Sequence, residues 1–309
     1  MTELSRAIFQ EYQVRKGRRR KTAFLEFLLP ALEREGIAAR VDAKEASAFN
    51  RNVVIGDPDK ARLIVTAHYD TCAVMPVPNF ITPKNVPLYL LYQFVLAGAL
   101  IFLAFMAGTL PALFGLAEGL SSVVYLAALL LGLYLLMCGP ANPHTANDNT
   151  SGVIAVIETV LALPEELRDK VAFVLFDNEE LGLLGSGEFA KRHPGVRKNA
   201  YVLNLDCVSD GDNMLVVLPK KCPAELETLL RGSFVVGEGK AVLIESAKGA
   251  LYPSDQINFK LGVGVAALKK TKGGLLYMDR LHTKRDTVFD ETNIEYVKAA
   301  LLRAAQSIV

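Results

Sequence analysis

The stretch VAFVLFDNEELGLLGS, residues 171–186, decides the class of fold. Its first six residues, Val171 to Phe176, are an unbroken run of apolar residues rich in β-branched and aromatic types. A strand with one wet face alternates apolar with polar. An unbroken run of this length suits a strand covered on both faces, as in a parallel sheet flanked by helices. The run stops at four polar residues, Asp177 to Glu180, and Leu184–Arg192 then resumes with helical spacing. Strand, polar loop and helix in that order are half of a βαβ unit.

The same alternation extends to both sides. Upstream, Asn52–Ile55 and Arg62–Ala67 read as strands about the turn Gly56-Asp-Pro-Asp59, and Ser151–Leu163 as an apolar helix stopped by Pro164. Downstream come a buried strand at Ala200–Leu205, a strand at Met214–Leu218, a helix over Pro223–Gly232, strands at Ala241–Ile244 and Val263–Leu268, and a last helix over Asn293–Ile308. Thr2 to about Gly36 reads as helical, with Ile8, Phe9, Tyr12, Phe24, Leu25, Leu28, Leu29 and Leu32 at helical spacing. The expectation is an α/β fold with a largely parallel central sheet flanked by helices.

The 309 residues carry 34 basic against 33 acidic side chains, a net charge of +1, which argues against a nucleic-acid partner. A hydrophobic content of 51% is high, and the surplus sits in one place. From Val86 to Pro143 there is no Lys or Arg and a single acid, Glu118. Within that span Pro87–Gly108 and Leu120–Gly139 are each about 20 apolar residues, the length that crosses a hydrocarbon core as a helix. Pro111, Gly115 and Gly119 mark the connection between them as a turn. The pattern predicts a transmembrane hairpin at 86–139, with the bilayer as a partner, inserted into one domain made of 1–85 and 140–309. All Lys and Arg lie outside the hairpin, so the positive-inside bias predicts an integral membrane protein with its main domain in the cytoplasm. Four scattered cysteines, without metal spacing, suit a reducing compartment. The basic run Lys16–Lys21 reads equally as a contact for anionic lipid headgroups or as a solvated helix face.

Polar clusters follow the predicted strands, where α/β sheets place their sites. His68-Tyr-Asp70 follows one strand, Asp177–Ser186 another and Asp206 a third; Ala146–Gly152 opens a helix, and Leu281–Asp286 lies near the end. Singly each is ordinary. Asp206 reads as a turn cap, Glu179 and Glu180 as an acidic start to a helix, and His282 as structural. Together they offer two imidazoles and several carboxylates, which are suitable zinc ligands.

In order and wording, AHYDT (67–71), ANDNTSG (146–152), FDNEELGLLGS (176–186), NLD (204–206), SDQINF (254–259) and HTKRDT (282–287) resemble the zinc aminopeptidase family that includes bacterial leucyl aminopeptidases, glutamate carboxypeptidase and glutaminyl cyclases, peptidase family M28. Apart from the hairpin and the first fifty residues, the resemblance covers nearly the whole chain. It implies a zinc exopeptidase fold that hydrolyses N-terminal residues from peptides with two zinc ions. It implies His68 and Asp206 on one ion, Glu180 and His282 on the other, and Asp148 bridging them. Glu179 would be the general base. Asp70 would accept the free ring N–H of His68, and Asp286 would serve His282 in a similar way. Gln256 stands where the family often has histidine, and Tyr252 is the nearest candidate for an oxyanion-stabilising tyrosine, its offset shifted by one. A filled set of five ligand positions favours peptide hydrolysis. A glutaminyl cyclase, a carboxypeptidase and a non-catalytic membrane subunit are the alternatives on the same fold. His144 and His193 match no motif and read as structural. The hairpin falls between His68 and Asp148, and a chain reaches at most about 3.5 Å per residue. The metal centre is therefore expected within a few tens of ångströms of the membrane surface.

Overall fold

Unbroken apolar runs become the middle of a nine-stranded sheet. The computed structural model describes residues 1–44, 49–116, 118–237 and 239–308. In chain order the elements are α1 Glu3–Glu11, α2 Arg18–Arg34, β1 Ala39–Asp42, β2 Asn52–Ile55, β3 Leu63–His68, α3 Val86–Leu113, α4 Glu118–Cys138, α5 Gly152–Ala162, β4 Val171–Phe176, α6 Leu184–Arg192, α7 Pro194–Asn199, β5 Tyr201–Leu205, β6 Asn213–Leu218, α8 Ala224–Ser233, β7 Ala241–Ser246, β8 Gly262–Lys270, β9 Leu276–Tyr277 and α9 Glu291–Ser307.

The strand order is β1-β2-β4-β3-β5-β8-β6-β7, with β9 on β8. The centre, β4-β3-β5-β8, is parallel. At one edge β2 runs antiparallel to β4 and β1 to β2; at the other β6 runs antiparallel to β8 and parallel to β7. The sheet is thus mixed, with the parallel order where the apolar runs predict it. Every residue of β2, β3, β4 and β5 is buried. Alternate side chains divide between two layers. Leu63 and Val65 pack with residues of α1, α2, α5, α8 and α9, while Ile64 packs with Phe189 of α6 and Val196 of α7.

The N-terminal segment departs from its single helical reading. It breaks between Glu11 and Arg18, with Gly17 at φ +78°. The apolar spacing is helical on both sides of the break, so periodicity alone cannot register it. The break sends Arg15 into the interior, where it is fully buried. Lys21, the last residue of the basic run, meets neither lipid nor solvent; its ammonium lies 2.6 Å from the buried Asp177 carboxylate. The short edge strand β1 and the six-residue α7 carry no apolar pattern that predicts them.

Helix α3 runs five residues beyond its predicted end, with Pro111 inside its last turn, and Gly115 at φ +69° makes the reversal. Ala117, in the predicted connection, lies outside the described residues. The two helices pack closely: a Cβ added to Gly108 would stand 2.8 Å from that of Tyr125. Both are long and apolar enough to cross a membrane, and only 6% and 0% of their most apolar windows are buried within the protein. At the base of α3, Tyr92 donates to the Pro78 carbonyl at 2.6 Å. The preceding segment lies along the 281–282 loop, Met75 N–H donating to the His282 carbonyl at 2.7 Å and Asn79 N–H to that of Leu281 at 3.1 Å.

Candidate metal centre

The carboxyl edge of the parallel strands gathers the predicted donors. His68 ends β3, Glu179 and Glu180 follow β4, and Asp206 follows β5. Asp148 lies in the irregular turn before α5, and His282 in the loop after β9. His68 Nε2 stands 3.4 Å from Asp148 Oδ1 and 3.5 Å from Asp206 Oδ1. His282 Nε2 stands 3.2 Å from Asp148 Oδ2 and 3.4 Å from Glu180 Oε2. Asp148 therefore turns one oxygen towards each set.

These separations discriminate between two explanations. A charge-assisted N–H···O bond closes to about 2.7–2.9 Å, shorter than any of the four. Two ligands at roughly 2.0–2.1 Å from a tetrahedral ion sit roughly 3.3–3.4 Å apart. The separations are those of ligands gathered about a metal ion. The Glu179 carboxylate groups with His68 and Asp206, and the Cys72 thiol borders Asp148, Glu180 and His282, with donors in each group within 4.8 Å of one another.

Charge points the same way. Burial pushes Glu180 up to about 8 and Glu179 well above the usual carboxylate range, against the pull of the neighbouring imidazoles. Burial disfavours charge on the imidazoles, yet Glu180 and Asp148 hold His282 up at about 9, and Glu179, Asp148, Asp206 and Asp70 hold His68 well above normal. Without a cation, buried acids of this density must keep protons on themselves or on the histidines. A divalent ion relieves the same repulsion.

Beneath the donors, paired acceptors set their loops. The Asp70 carboxylate accepts the backbone N–H of Glu179 at 2.9 Å and of Glu180 at 3.2 Å. The atom of Asp70 nearest His68 Nδ1 is its carbonyl oxygen at 3.1 Å, with the carboxylate at 3.6 Å. Asp286 does for the other loop what Asp70 does for this one. Its carboxylate accepts the N–H of Asn147 at 2.9 Å and of Asp148 at 3.0 Å, and so holds Asp148 rather than His282. Asn149 Oδ1 accepts from Gly152 and Cys207, and its Nδ2 donates to the Leu205 carbonyl, joining the Asp148 turn to the end of β5. His282 sits at φ +60°, a conformation uncommon for residues other than glycine.

Tyr252 lies against Asp206. Its hydroxyl donates to the Asp206 carbonyl at 3.0 Å, and burial holds its pKa well above normal. That bond ties Tyr252 to the loop carrying Asp206. Gln256, where the motif departs, takes an Asn204 amide N–H and donates to the Tyr252 carbonyl.

Sequence reasoning missed four contributors. Arg15 donates to the Tyr69 carbonyl and to the Thr150 hydroxyl, tying the His68 and Asp148 loops to the N-terminal break. Asp255 is fully buried close to the cluster, and burial pushes it up to about 7. Cys207 donates to Asp206 Oδ1 at 3.1 Å, and Cys72 lies at the second set. All four cysteines are free, and burial keeps these two thiols well above their usual pKa. Their adjacency to Asp70 and Asp206 in sequence was the available signal. His193 ends α6 and pairs with Asp59 and Asp42, and His144 is exposed.

The model of "Peptidase family M28" matches residues 132–305, a span that includes Asp148, Glu179, Glu180, Asp206 and His282 but not His68. No curated protein matches the sequence. Among solved structures, glutaminyl cyclase from Porphyromonas gingivalis is similar with a TM-score of 0.60 at 16% identity, over 99% of this chain and 96% of that one. The LapA aminopeptidase of Legionella pneumophila gives 0.57 at 12%, over 99% and 69%. A Zn-dependent exopeptidase from Parabacteroides distasonis gives 0.56 at 14%, over 98% and 95%. At these identities the likeness is one of fold.

Proposed function

This chain belongs to peptidase family M28, and on that footing we propose that it is a membrane-anchored aminopeptidase that removes N-terminal residues from peptides with two zinc ions. The observation that carries the reading is the division of Asp148, one oxygen facing His68 and Asp206, the other facing His282 and Glu180. His68, Asp206 and Asp148 would hold one ion, and Glu180, His282 and Asp148 the other. Zinc bound there supplies a Lewis acid for the scissile carbonyl and acidifies a water.

The remaining work falls to the protein. Glu179 takes a proton from the attacking water and returns it to the leaving amine; burial, which pushes its carboxyl well above the ordinary range, suits a group that must hold that proton between steps. Asp70 fixes the backbone of Glu179 and Glu180, and Asp286 that of Asp148. The dense carboxylates of the site attract the α-amino group of a peptide, which supports an exopeptidase acting at the N-terminus.

The membrane anchor rests on α3 and α4, whose apolar surfaces lie outside the protein core. A soluble protein exposing Phe94, Leu103, Phe105 and Leu131 on two long apolar helices would aggregate. The charge distribution supports a catalytic domain in the cytoplasm.

Hydrolysis of aminoacyl-aminomethylcoumarins by the full chain in detergent tests the reading. Chelator-sensitive turnover is expected, lost by about 10²-fold or more in Glu179→Gln while two zinc ions stay bound. Cleavage of N-acetylated peptides instead would identify a carboxypeptidase. Conversion of glutaminyl peptides to pyroglutamyl products without hydrolysis would identify a cyclase. A chain that binds no zinc would be a non-catalytic subunit.

A further inference from the structure

A cavity of about 280 Å³ opens beside the metal donors. Glu180 and Asp70 line it, Cys138 at the foot of α4 borders it, and five cations, Arg15, Lys16, Arg18, Lys21 and Arg51, stand around it. It is at the small end of ligand pockets, which run about 300–1,000 Å³. It therefore admits a side chain or the end of a short peptide, not an extended chain.

Its cations are not equivalent. Lys21 is neutralised by Asp177 at 2.6 Å. Among the described residues, the side-chain hydrogen bonds of Arg15, Lys16 and Arg51 go to neutral acceptors, and the proposal rests on these three. Arg15 donates to the carbonyls of Tyr12, Gln13 and Tyr69 and to the Thr150 hydroxyl. Lys16 donates to the Met137 carbonyl at 2.6 Å. Arg51 donates to the Thr22 hydroxyl at 2.8 Å and the Arg18 carbonyl at 3.4 Å. The first turn of α2, also at the wall, has no side-chain cap and adds partial positive charge. Burial draws Arg15 down only to about 10, so it stays a cation at neutral pH.

An ammonium group is repelled from such a wall, and an anion is held by it. Glu180, a predicted metal ligand, is part of the wall, so an anion held here lies within reach of the bond being cleaved. We propose that the cavity binds a carboxylate of the substrate, and that the preferred class is short peptides carrying an acid within a residue or two of the scissile bond. This rests on the peptidase reading. Three sources share the chemistry: the C-terminal carboxylate of a dipeptide, an acidic residue after the bond, and one before it.

Four substrates separate them on the zinc-loaded full chain in detergent: Ala-Ala amide, Ala-Ala free acid, Ala-Glu amide and Glu-Ala amide. At least one acid should exceed Ala-Ala amide in kcat/KM by about tenfold or more, the worth of one charge-assisted hydrogen bond. That ratio should fall towards one in Arg51→Gln and Lys16→Gln, and should shrink as ionic strength rises. Equal values for all four substrates, or a preference untouched by both variants, overturns the proposal. Reduced-bond isosteres of the same four peptides read the cavity without turnover by calorimetry. Tighter binding of at least one acid isostere than of the Ala-Ala amide isostere, with no cleavage of any peptide, would refute the peptidase reading and leave the carboxylate site standing. Equal binding of all four isosteres, or of none, would refute the site.

Discussion

Asp70→Asn tests the mechanics of the centre most directly. The Asp70 carboxylate is 3% exposed and accepts two successive N–H groups, those of Glu179 and Glu180, at 2.9 and 3.2 Å. Asparagine keeps one acceptor and turns the other into a donor that faces an N–H. The exchange loses a charge-assisted hydrogen bond, worth about 1.5–3 kcal/mol, and strands a buried donor at about 1–3 kcal/mol. The loop relieves part of that strain by shifting, and a shift moves Glu180 off its position opposite His282 Nε2, now 3.4 Å away. Partners of this kind are worth about 10–100-fold in metal affinity, or about 1.4–2.7 kcal/mol. Zinc affinity should therefore fall by that factor, with kcat falling as well because Glu179 rides on the same loop. Competition against a fluorescent chelator gives the affinity, and urea denaturation of the same preparation gives stability. Zinc affinities within twofold of the parent protein, with only stability lowered, would make Asp70 a structural acceptor and nothing more.

Three further outcomes are expected. Lys21→Met leaves the buried Asp177 carboxylate without its cation and should cost about 3–5 kcal/mol in denaturant unfolding; burial already raises Asp177 and Lys21 opposes that rise, so the loss should be greatest at alkaline pH and shrink as acid protonates Asp177. Gly152→Ala places a Cβ 2.4 Å from Asn149 Oδ1 and 2.6 Å from the Leu205 carbonyl; overpacking of about 1–3 kcal/mol should appear in the melting temperature, with weaker zinc binding because that contact joins the Asp148 turn to β5. Zinc binding near neutral pH should release protons. Glu180, pushed up by burial, and His282, held up by Glu180 and Asp148 against burial, together keep at least one proton in the metal-free site at pH 7. Apparent affinity should rise with pH to about 9, and calorimetry in buffers of different ionisation enthalpy should show the released protons; a buffer-independent heat would contradict it.

The central strands were legible because a strand covered on both faces leaves no room for polar residues. Val171–Phe176 could be read with its bounds intact. The edge strand β1 could not, since one open face removes the constraint that makes a pattern. Helical spacing survives a break of a few residues, so the interruption before Arg18 left no trace in the periodicity. The hairpin stood out as apolar length carrying a single charge, Glu118, which needs no tertiary information.

The sequence by itself determined the α/β class, the place of the apolar hairpin and the residue types gathered at the carboxyl ends of the strands. These follow from burial, from hydrocarbon thickness and from metal-ligand chemistry, all properties of local composition and order. The tertiary structure alone decided what each polar group faces. Asp70 and Asp286 hold backbone N–H groups of the donor loops, the Tyr252 proton goes to the Asp206 carbonyl, Lys21 is buried on Asp177, and Arg15 spans two donor loops. Such partners are as many as 156 positions apart. Their meeting depends on how the loops close over the sheet, and no local pattern encodes that distance.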